Sequence, residues 1–184
     1  MRIFLSGGCK SGKSYHAQQL AKAQARRGGA LYYVATMKPA DSEDGERIAR
    51  HRAEREGWGF VTVEQPTDID GILESCDPGG SFLLDSLTAL LANEMFPGLG
   101  PINTGAADKI IAGLTRVLKE AEDVVLVSDY IYSDAILYDP LTEAYRKSLA
   151  DIDRAAAGLC SAVLEAVYGG ITAHKGKAAY EAIL

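Results

Sequence analysis

The chain has 184 residues, 47% of them hydrophobic and 24% charged, and its formal net charge at pH 7 is -6. The length predicts one domain over residues 1–184, and the composition is typical of a globular protein with a buried core. The acidic balance argues against a nucleic-acid-binding protein, whose contact face would be basic.

The three cysteines, Cys9, Cys76 and Cys160, are far apart and form no Cys-x-x-Cys pair. This spacing disfavours a zinc ribbon or a disulfide framework and is typical of a reducing compartment. A strand begins at the N-terminus, so no signal peptide is expected, and no apolar run is long enough to span a membrane. We therefore expect a cytoplasmic protein without membrane contact.

Short apolar segments alternate along the chain with segments rich in helix-forming residues. The apolar segments predict strands at 2–6, 31–35, 60–63, 81–84, 124–127 and 162–167. The other segments predict helices at 14–27, 41–56, 67–75, 86–96, 106–122 and 141–159, and the tail from Ala173 is expected to be a short helix or frayed. Such alternation predicts an α/β fold with a mostly parallel central sheet and helices on both faces.

The first strand runs into GGCKSGKS at positions 7–14, which matches the P-loop pattern G-x-x-x-x-G-K-[ST] in full. In such a loop the glycines let backbone N–H groups face phosphate oxygens, and the next helix adds the partial positive charge of its N-terminus. Lys13 is expected to contact the β- and γ-phosphates, and the Ser14 hydroxyl to bind Mg²⁺. The expected nucleotide-binding residues of this loop are Gly7, Gly8, Cys9, Lys10, Ser11, Gly12, Lys13 and Ser14.

A phosphate loop needs a further acidic group at the end of a neighbouring strand to hold the metal. Asp85 follows the apolar run SFLL, and Asp129 follows VVLVS, so both are candidates. Asp85 would bind the metal or cap the helix that follows it, and the two roles are compatible. Because ligands gather at the carboxyl ends of parallel strands, Thr36, Asp85 and Asp129 should lie near the phosphates.

His51 lies in the charged segment RIARHRAER at positions 47–55. A histidine among arginines and glutamates is most often a solvated surface residue. A neutral imidazole near phosphates is also a competent nucleophile toward phosphorus, so the residue types leave both roles open. His16, two residues after the phosphate loop, is expected to pack or cap.

Taken together, these motifs resemble the bifunctional adenosylcobinamide kinase/adenosylcobinamide-phosphate guanylyltransferase family of cobalamin biosynthesis. The resemblance covers roughly residues 1–96. It is carried by IFLSGGCKSGKSYHA, LYYVAT, ERIARHRAER, VTVEQP and FLLDSLTALLANEMF.

The resemblance implies a single-domain P-loop NTPase with a RecA-like fold and a homo-oligomer, such as a trimer. It implies phosphorylation of adenosylcobinamide by a nucleoside triphosphate, followed by attack of His51 on the α-phosphate of GTP and transfer of GMP to adenosylcobinamide phosphate. His51 and Lys13 would be the catalytic residues. ATP and GTP would be the nucleotides, Mg²⁺ the cofactor and a corrinoid the acceptor. The remaining nucleotide contacts implied by the resemblance are Thr36, Arg55, Glu64 and Asp85, with Asp85 near the metal.

The second half departs from the family pattern. After the strand at 124–127 the family continues with an Asn-Glu-Val-Gly run, whereas this chain has SDYIYS at 128–133. This loop is expected to form part of the acceptor pocket. Two alternatives therefore stay open: a P-loop small-molecule kinase in which His51 is a surface residue, and a nucleotide-binding regulatory protein.

Overall fold

The computed structural model of the chain describes residues 1–25, 29–39, 45, 49, 52–53, 55–98 and 100–183. Their strands are β1 (Arg2–Gly7), β2 (Leu31–Ala35), β3 (Val61–Glu64), β4 (Ser81–Asp85), β5 (Asp123–Asp129), β6 (Ala162–Val167) and β7 (Gly170–Lys175). Their α-helices are α1 (Lys13–Gln24), α2 (Ile72–Ser75), α3 (Leu87–Met95), α4 (Ala106–Glu120), α5 (Pro140–Leu159) and α6 (Lys177–Glu181), and a 3₁₀ turn at Ile69–Gly71 precedes α2.

The described strands form one sheet in the order β3-β2-β4-β5-β1-β6-β7. All neighbouring pairs are parallel except β6 and β7, which are antiparallel. In this register Gly7 lies opposite Asp129, and Ala35 lies opposite Asp85. The phosphate loop and both candidate aspartates therefore meet at the same edge of the sheet.

The central strands are buried on both faces, as expected for parallel strands covered by helices. Because side chains alternate along a strand, Leu83 and Leu84 of β4 point to opposite faces. Leu83 packs in a cluster with Leu20 of α1, whereas Leu84 packs in a second cluster with Leu90 of α3 and Leu114 of α4. Both faces of the sheet thus have a hydrophobic core, and the expected α/β fold with a mostly parallel sheet is confirmed.

One expectation at the C-terminal end is wrong. The segment 162–167 is not the last strand, because β7 follows it and pairs antiparallel at the sheet edge. Residues of β7 are half-buried or exposed, so this strand lacks the apolar run that identifies a central strand. Of the two alternatives for the tail, the short helix is present as α6, but it begins at Lys177 and not at Ala173, which lies in β7.

The helix expected at 67–75 is shorter than the sequence suggested. Asp68 has a left-handed backbone conformation with φ of 50°, which a helix cannot include, and its N–H donates to Oε1 of Glu94 at 2.7 Å. Helical structure therefore begins at Ile69. The helix expected at 41–56 lies largely outside the described residues. In the described part of the chain, no helix has the length and apolar character needed to cross a membrane.

Candidate functional site

The phosphate loop connects β1 to α1 and is held by close backbone contacts. The N–H of Ser11 donates to the carbonyl oxygen of Gly8 at 3.3 Å, and Gly12 has a φ of 87°. A Cβ at Gly7 would lie 2.7 Å from Oγ of Ser11 and 2.8 Å from the carbonyl oxygen of Ala166. Position 7 therefore requires glycine because neighbouring atoms fill the space of a side chain.

Lys13, the first residue of α1, is buried behind this loop. Its Nζ donates to the carbonyl oxygen of Gly8 at 3.2 Å and forms an ion pair with Oδ1 of Asp129. Asp129 ends β5, the strand beside β1. The ammonium group is therefore held between the loop backbone and a carboxylate, at a place where phosphate oxygens could replace these partners.

Asp85 lies at the carboxyl end of β4 and is held by a side chain of β2. The hydroxyl of Tyr33 donates to Oδ2 of Asp85 at 2.9 Å. The guanidinium carbon of Arg55 lies 3.4 Å from the centroid of the Tyr33 ring, and Arg55 is itself buried. A carboxylate, a phenol and a guanidinium thus form a stacked, hydrogen-bonded group beside the phosphate loop.

The helix-capping alternative for Asp85 is wrong by one residue. Ser86 is the N-cap of α3, and its Oγ accepts a hydrogen bond from the N–H of Ala89 at 3.3 Å. Asp85 is therefore not needed to begin α3, and its carboxylate faces the cavity described below.

Thr36 lies at the end of β2 but is fully buried. Its hydroxyl donates to the carbonyl oxygen of Ser86 at 2.8 Å and accepts from the N–H of Ser86 at 2.7 Å. Nδ2 of Asn93 donates to the carbonyl oxygen of Thr36 at 2.6 Å. Thr36 therefore joins the ends of β2 and β4, and a direct contact of Thr36 with a nucleotide stays a prediction.

These elements surround a cavity of about 330 Å³ at the carboxyl edge of the sheet. It brings together five residues that the sequence assigned to the site: Lys13, Ser14, Arg55, Glu64 and Asp85. Glu64 lies at the exposed end of β3, where Oε1 is 3.1 Å from Nη2 of Arg52. The wall of the cavity also includes Asp129, the second acidic candidate. His51 lies outside the described residues.

The same cavity carries oxygen ligands that suit a magnesium ion. Ser14 supplies a hydroxyl, and Asp85 and Asp129 supply carboxylates from two adjacent strands. Hydroxyl and carboxylate oxygens are the ligands that Mg²⁺ takes in nucleotide sites, together with phosphate oxygens and water.

Comparison with known proteins agrees with this geometry. The model of the cobinamide kinase / cobinamide phosphate guanyltransferase family matches residues 3–173, which is most of the chain. The chain belongs to this family.

Named relatives of the family match a shorter part of the chain. The bifunctional adenosylcobalamin biosynthesis protein CobP of Pseudomonas aeruginosa is 42% identical over 94 residues, which cover 50% of this chain and 52% of that protein. The bifunctional adenosylcobalamin biosynthesis protein CobU of Escherichia coli is 34% identical over 98 residues, which cover 52% of this chain and 51% of that protein. The match thus spans about half the length of each relative.

Solved structures with similar folds are distant in sequence. The flagellar accessory protein FlaH of Methanocaldococcus jannaschii has a TM-score of 0.52 and 15% identity, over 94% of this chain and 77% of that chain. A KaiC-like protein of Pyrococcus horikoshii has a TM-score of 0.50 and 14% identity, over 95% of this chain and 78% of that chain. These likenesses concern the fold alone and agree with the expected α/β fold with a mostly parallel sheet.

Tyr33 and Arg52 also line the cavity of this family member, but the sequence did not identify them. Tyr33 lies inside the strand LYYVA, where a tyrosine is a common core residue. Its hydrogen-bond partner Asp85 is 52 residues away in the chain. The sequence feature that points to Tyr33 is its position two residues before the end of β2, on the same face of the sheet as Ala35. Arg52 follows His51 directly in the charged segment RIARHRAER.

Proposed function

We propose that the protein is a transferase of cobalamin biosynthesis that phosphorylates adenosylcobinamide and then guanylylates the product. The observation that carries this proposal is the shared cavity of Lys13, Ser14, Asp85 and Arg55, in a chain whose family model spans both activities. The cavity combines a phosphate loop, oxygen ligands for Mg²⁺ and two arginines, Arg52 and Arg55.

In the kinase step, the acceptor hydroxyl attacks the γ-phosphorus of ATP or GTP. A new O–P bond forms while the bond from the γ-phosphorus to the bridging oxygen breaks. The nucleoside diphosphate leaves, and the acceptor hydroxyl releases its proton to water. Lys13 binds the oxygens of the transferring group and neutralises the charge that develops on them. Ser14, Asp85 and Asp129 would hold Mg²⁺, which when bound screens the charge of the phosphates.

In the guanylyl step, a ring nitrogen of His51 attacks the α-phosphorus of GTP. A P–N bond forms, the bond to the bridging oxygen breaks, and pyrophosphate leaves. A phosphate oxygen of adenosylcobinamide phosphate then attacks the same phosphorus, the P–N bond breaks, and the imidazole is regenerated. Arg52 and Arg55, which follow His51 closely in the sequence, line the cavity, and we expect their guanidinium groups to bind phosphate oxygens.

A covalent-labelling experiment tests the guanylyl step. The protein is incubated with Mg²⁺ and GTP carrying radioactive phosphorus in its α-phosphate, then denatured and washed. We expect a label that is lost in acid and kept in alkali, as for a phosphoramidate, and its absence from His51→Ala. His174→Ala is the matched control, because His174 lies exposed on β7 and contacts Glu165 at 2.8 Å; it should keep the label.

Other outcomes of this experiment identify the alternatives. If no label forms while ATP is consumed only in the presence of an alcohol, the chain is a small-molecule kinase without the guanylyl step. If the nucleotide binds but no acceptor is turned over, the chain is a regulatory protein.

Lys13→Ala should lower the kinase rate by about 100-fold or more, because the lost cation acts on the transferring phosphoryl group.

The assembly and location of the protein are part of the same proposal. We expect a cytoplasmic homo-oligomer, such as a trimer, that consists of one domain per chain over residues 1–184. Light scattering on the purified protein measures the oligomer, and a monomer at micromolar concentration would contradict it.

A further inference from the structure

The turn between β6 and β7 lies against the phosphate loop. Val167 pairs with Gly170, so Tyr168 and Gly169 form a two-residue hairpin turn. The N–H of Gly169 lies 3.3 Å from the carbonyl oxygen of Ser11, to which it donates, and Nε2 of His16 lies 3.1 Å from the carbonyl oxygen of Gly169. The turn is therefore fixed on both sides to residues that build the phosphate site.

Tyr168 is an unusual residue for the first position of this turn. Its φ is 49° and that of Gly169 is 80°, the left-handed values of a type I′ turn. Asparagine, aspartate and glycine are the common residues there, because a larger side chain is strained at positive φ. Residue Tyr168 is fully exposed, at 102% of its reference area, so no packing within the described residues compensates for the strain.

The turn and the cavity lie on opposite sides of β1. The phosphate loop follows β1; β5, β4 and β2 lie on one side of β1, and β6 and β7 lie on the other. The groups for phosphates and metal, Asp129, Asp85 and Arg55, all lie toward the first side. A triphosphate bound among these groups leaves the side of the β6–β7 turn for the sugar and base of the nucleotide.

We propose that the ring of Tyr168 is a stacking surface for the purine base of the nucleoside triphosphate held by the phosphate loop. The inference rests on the proposed binding of a nucleotide and adds the residue that contacts its base. Stacking on an aromatic ring tolerates any base, because each base has a π-face. Such a surface accepts adenine and guanine alike, which suits a loop that serves both ATP and GTP.

The test compares ligands with and without a base. Binding of ATP, GTP and inorganic tripolyphosphate, each with Mg²⁺, is measured by titration calorimetry on the wild type, Tyr168→Asn and Tyr168→Phe. We expect Tyr168→Asn to bind both nucleotides about tenfold more weakly and tripolyphosphate as the wild type does, because only the stacking contact is lost. Tyr168→Phe, which keeps the ring, should match the wild type for all three ligands.

Protein stability separates lost stacking from lost folding. Asparagine accepts the left-handed conformation more readily than tyrosine, so Tyr168→Asn should unfold at the same temperature as the wild type or higher. A lower melting temperature together with equal weakening for all three ligands would mean that the turn merely supports the loop, and would overturn the proposal.

A second exposed aromatic residue, Tyr15, is the alternative contact for the base. Tyr15 is 57% exposed, follows the phosphate loop directly, and its ring centroid lies 6.1 Å from that of Trp58. Selective loss of nucleotide binding in Tyr15→Ala, with none in Tyr168→Asn, would place the base on that side and overturn the proposal. A wild type that binds tripolyphosphate and the nucleotides with equal affinity would also overturn it. A wild type that binds none of the three ligands would instead contradict the proposed nucleotide function itself.

Discussion

The hydroxyl of Tyr33 donates a hydrogen bond of 2.9 Å to Oδ2 of Asp85. Burial of the phenol, reinforced by the negative charge of Asp85, holds the pKa of Tyr33 well above its usual range. Tyr33 is therefore always a donor at physiological pH. The Arg55 guanidinium stacked on the same ring adds a cation next to this pair. Tyr33 thus orients Asp85, an expected metal ligand, and packs against Arg55, an expected phosphate-binding residue.

Tyr33→Phe tests this arrangement. The ring and its contact with Arg55 remain, but Asp85 loses the hydrogen bond from the Tyr33 hydroxyl. We expect the concentration of Mg²⁺ at half-maximal kinase activity to rise about tenfold, and the free energy of unfolding to fall by about 1 kcal/mol. Activity is measured against Mg²⁺ at saturating nucleotide, and stability by urea unfolding.

Tyr32→Phe is the control for the loss of a tyrosine hydroxyl on the same strand. The Tyr32 hydroxyl accepts a hydrogen bond of 3.1 Å from the N–H of Asp77, which precedes β4, so it lies at the amino end of the sheet. This variant should lose similar stability and keep the wild-type Mg²⁺ dependence. An unchanged Mg²⁺ dependence in Tyr33→Phe would show that the Tyr33 hydroxyl does not contribute to metal binding through Asp85.

Two neighbouring glycines of the phosphate loop should respond differently to alanine. A Cβ at Gly7 meets Oγ of Ser11 at 2.7 Å and the carbonyl oxygen of Ala166 at 2.8 Å, whereas a Cβ at Gly8 meets no atom within 4 Å. Because the backbone oxygen on β6 cannot move aside, Gly7→Ala should lower the free energy of unfolding by about 1–3 kcal/mol and weaken nucleotide binding. Gly8→Ala should unfold as the wild type does, as measured by calorimetry. Equal melting temperatures for the two variants would contradict the close packing of β1 on β6.

The parts of the site that follow from short segments were predictable from the sequence. The P-loop pattern fixes Gly7–Ser14 because the loop, the strand before it and the helix after it are consecutive. Asp85 and Asp129 were identified because an acidic residue ends each apolar run. Parallel pairing brings both to the same edge of the sheet: Asp129 lies opposite Gly7, and Asp85 lies opposite Val127, two residues before Asp129.

The remaining features depend on contacts between distant residues. The hydrogen bond between His16 and Gly169 joins residues 153 positions apart, and the sequence around Gly169 has too few apolar residues to predict an edge strand. Asp68 interrupted an expected helix because Glu94, 26 positions away, binds its N–H. The role of His51 stays a prediction, since this residue lies outside the described part of the chain.

Asp153 of α5 should make stability depend on pH. Burial raises the pKa of its carboxyl to about 6, and the hydroxyl of Tyr132, which donates to Oδ2 at 2.8 Å, offsets this only in part. Between about pH 4 and 6 the folded protein binds a proton that the unfolded chain has already lost. The free energy of unfolding therefore falls as pH rises through this window and stays lower above it, by on the order of 2–3 kcal/mol.

Asp153→Asn removes this titration and keeps an oxygen that can accept from Tyr132. It should be more stable than the wild type at pH 8 and lose that advantage near pH 4, as measured by urea unfolding at both values. Asp151→Asn is the control on the same helix, because Asp151 pairs with Arg154 at the surface at 2.9 Å. A stability difference between Asp153→Asn and the wild type that is equal at both pH values would contradict the raised pKa.

Arg146 of α5 holds the loop in which the sequence departs from the family pattern. Its buried guanidinium donates to the carbonyl oxygen of Ile131 at 3.2 Å, to that of Ile136 at 3.3 Å and to Oδ1 of Asp134 at 2.8 Å. Nη1 also pairs with Glu143. A lysine has one ammonium group and cannot reproduce this fork of donors, so Arg146→Lys should leave several of these acceptors without a partner.

We expect Arg146→Lys to speed backbone hydrogen exchange across residues 130–139 and to lower the free energy of unfolding by about 1–3 kcal/mol. If the loop forms the acceptor side of the site, the KM for the corrinoid should rise about tenfold. The dissociation constant of the nucleotide should stay unchanged, because the phosphate loop lies on β1 and α1. Arg154→Lys, which changes an exposed arginine of the same helix, should leave all of these quantities as in the wild type. Faster exchange in Arg146→Lys without any change in acceptor KM would show that the loop is ordered by Arg146 but does not contact the acceptor.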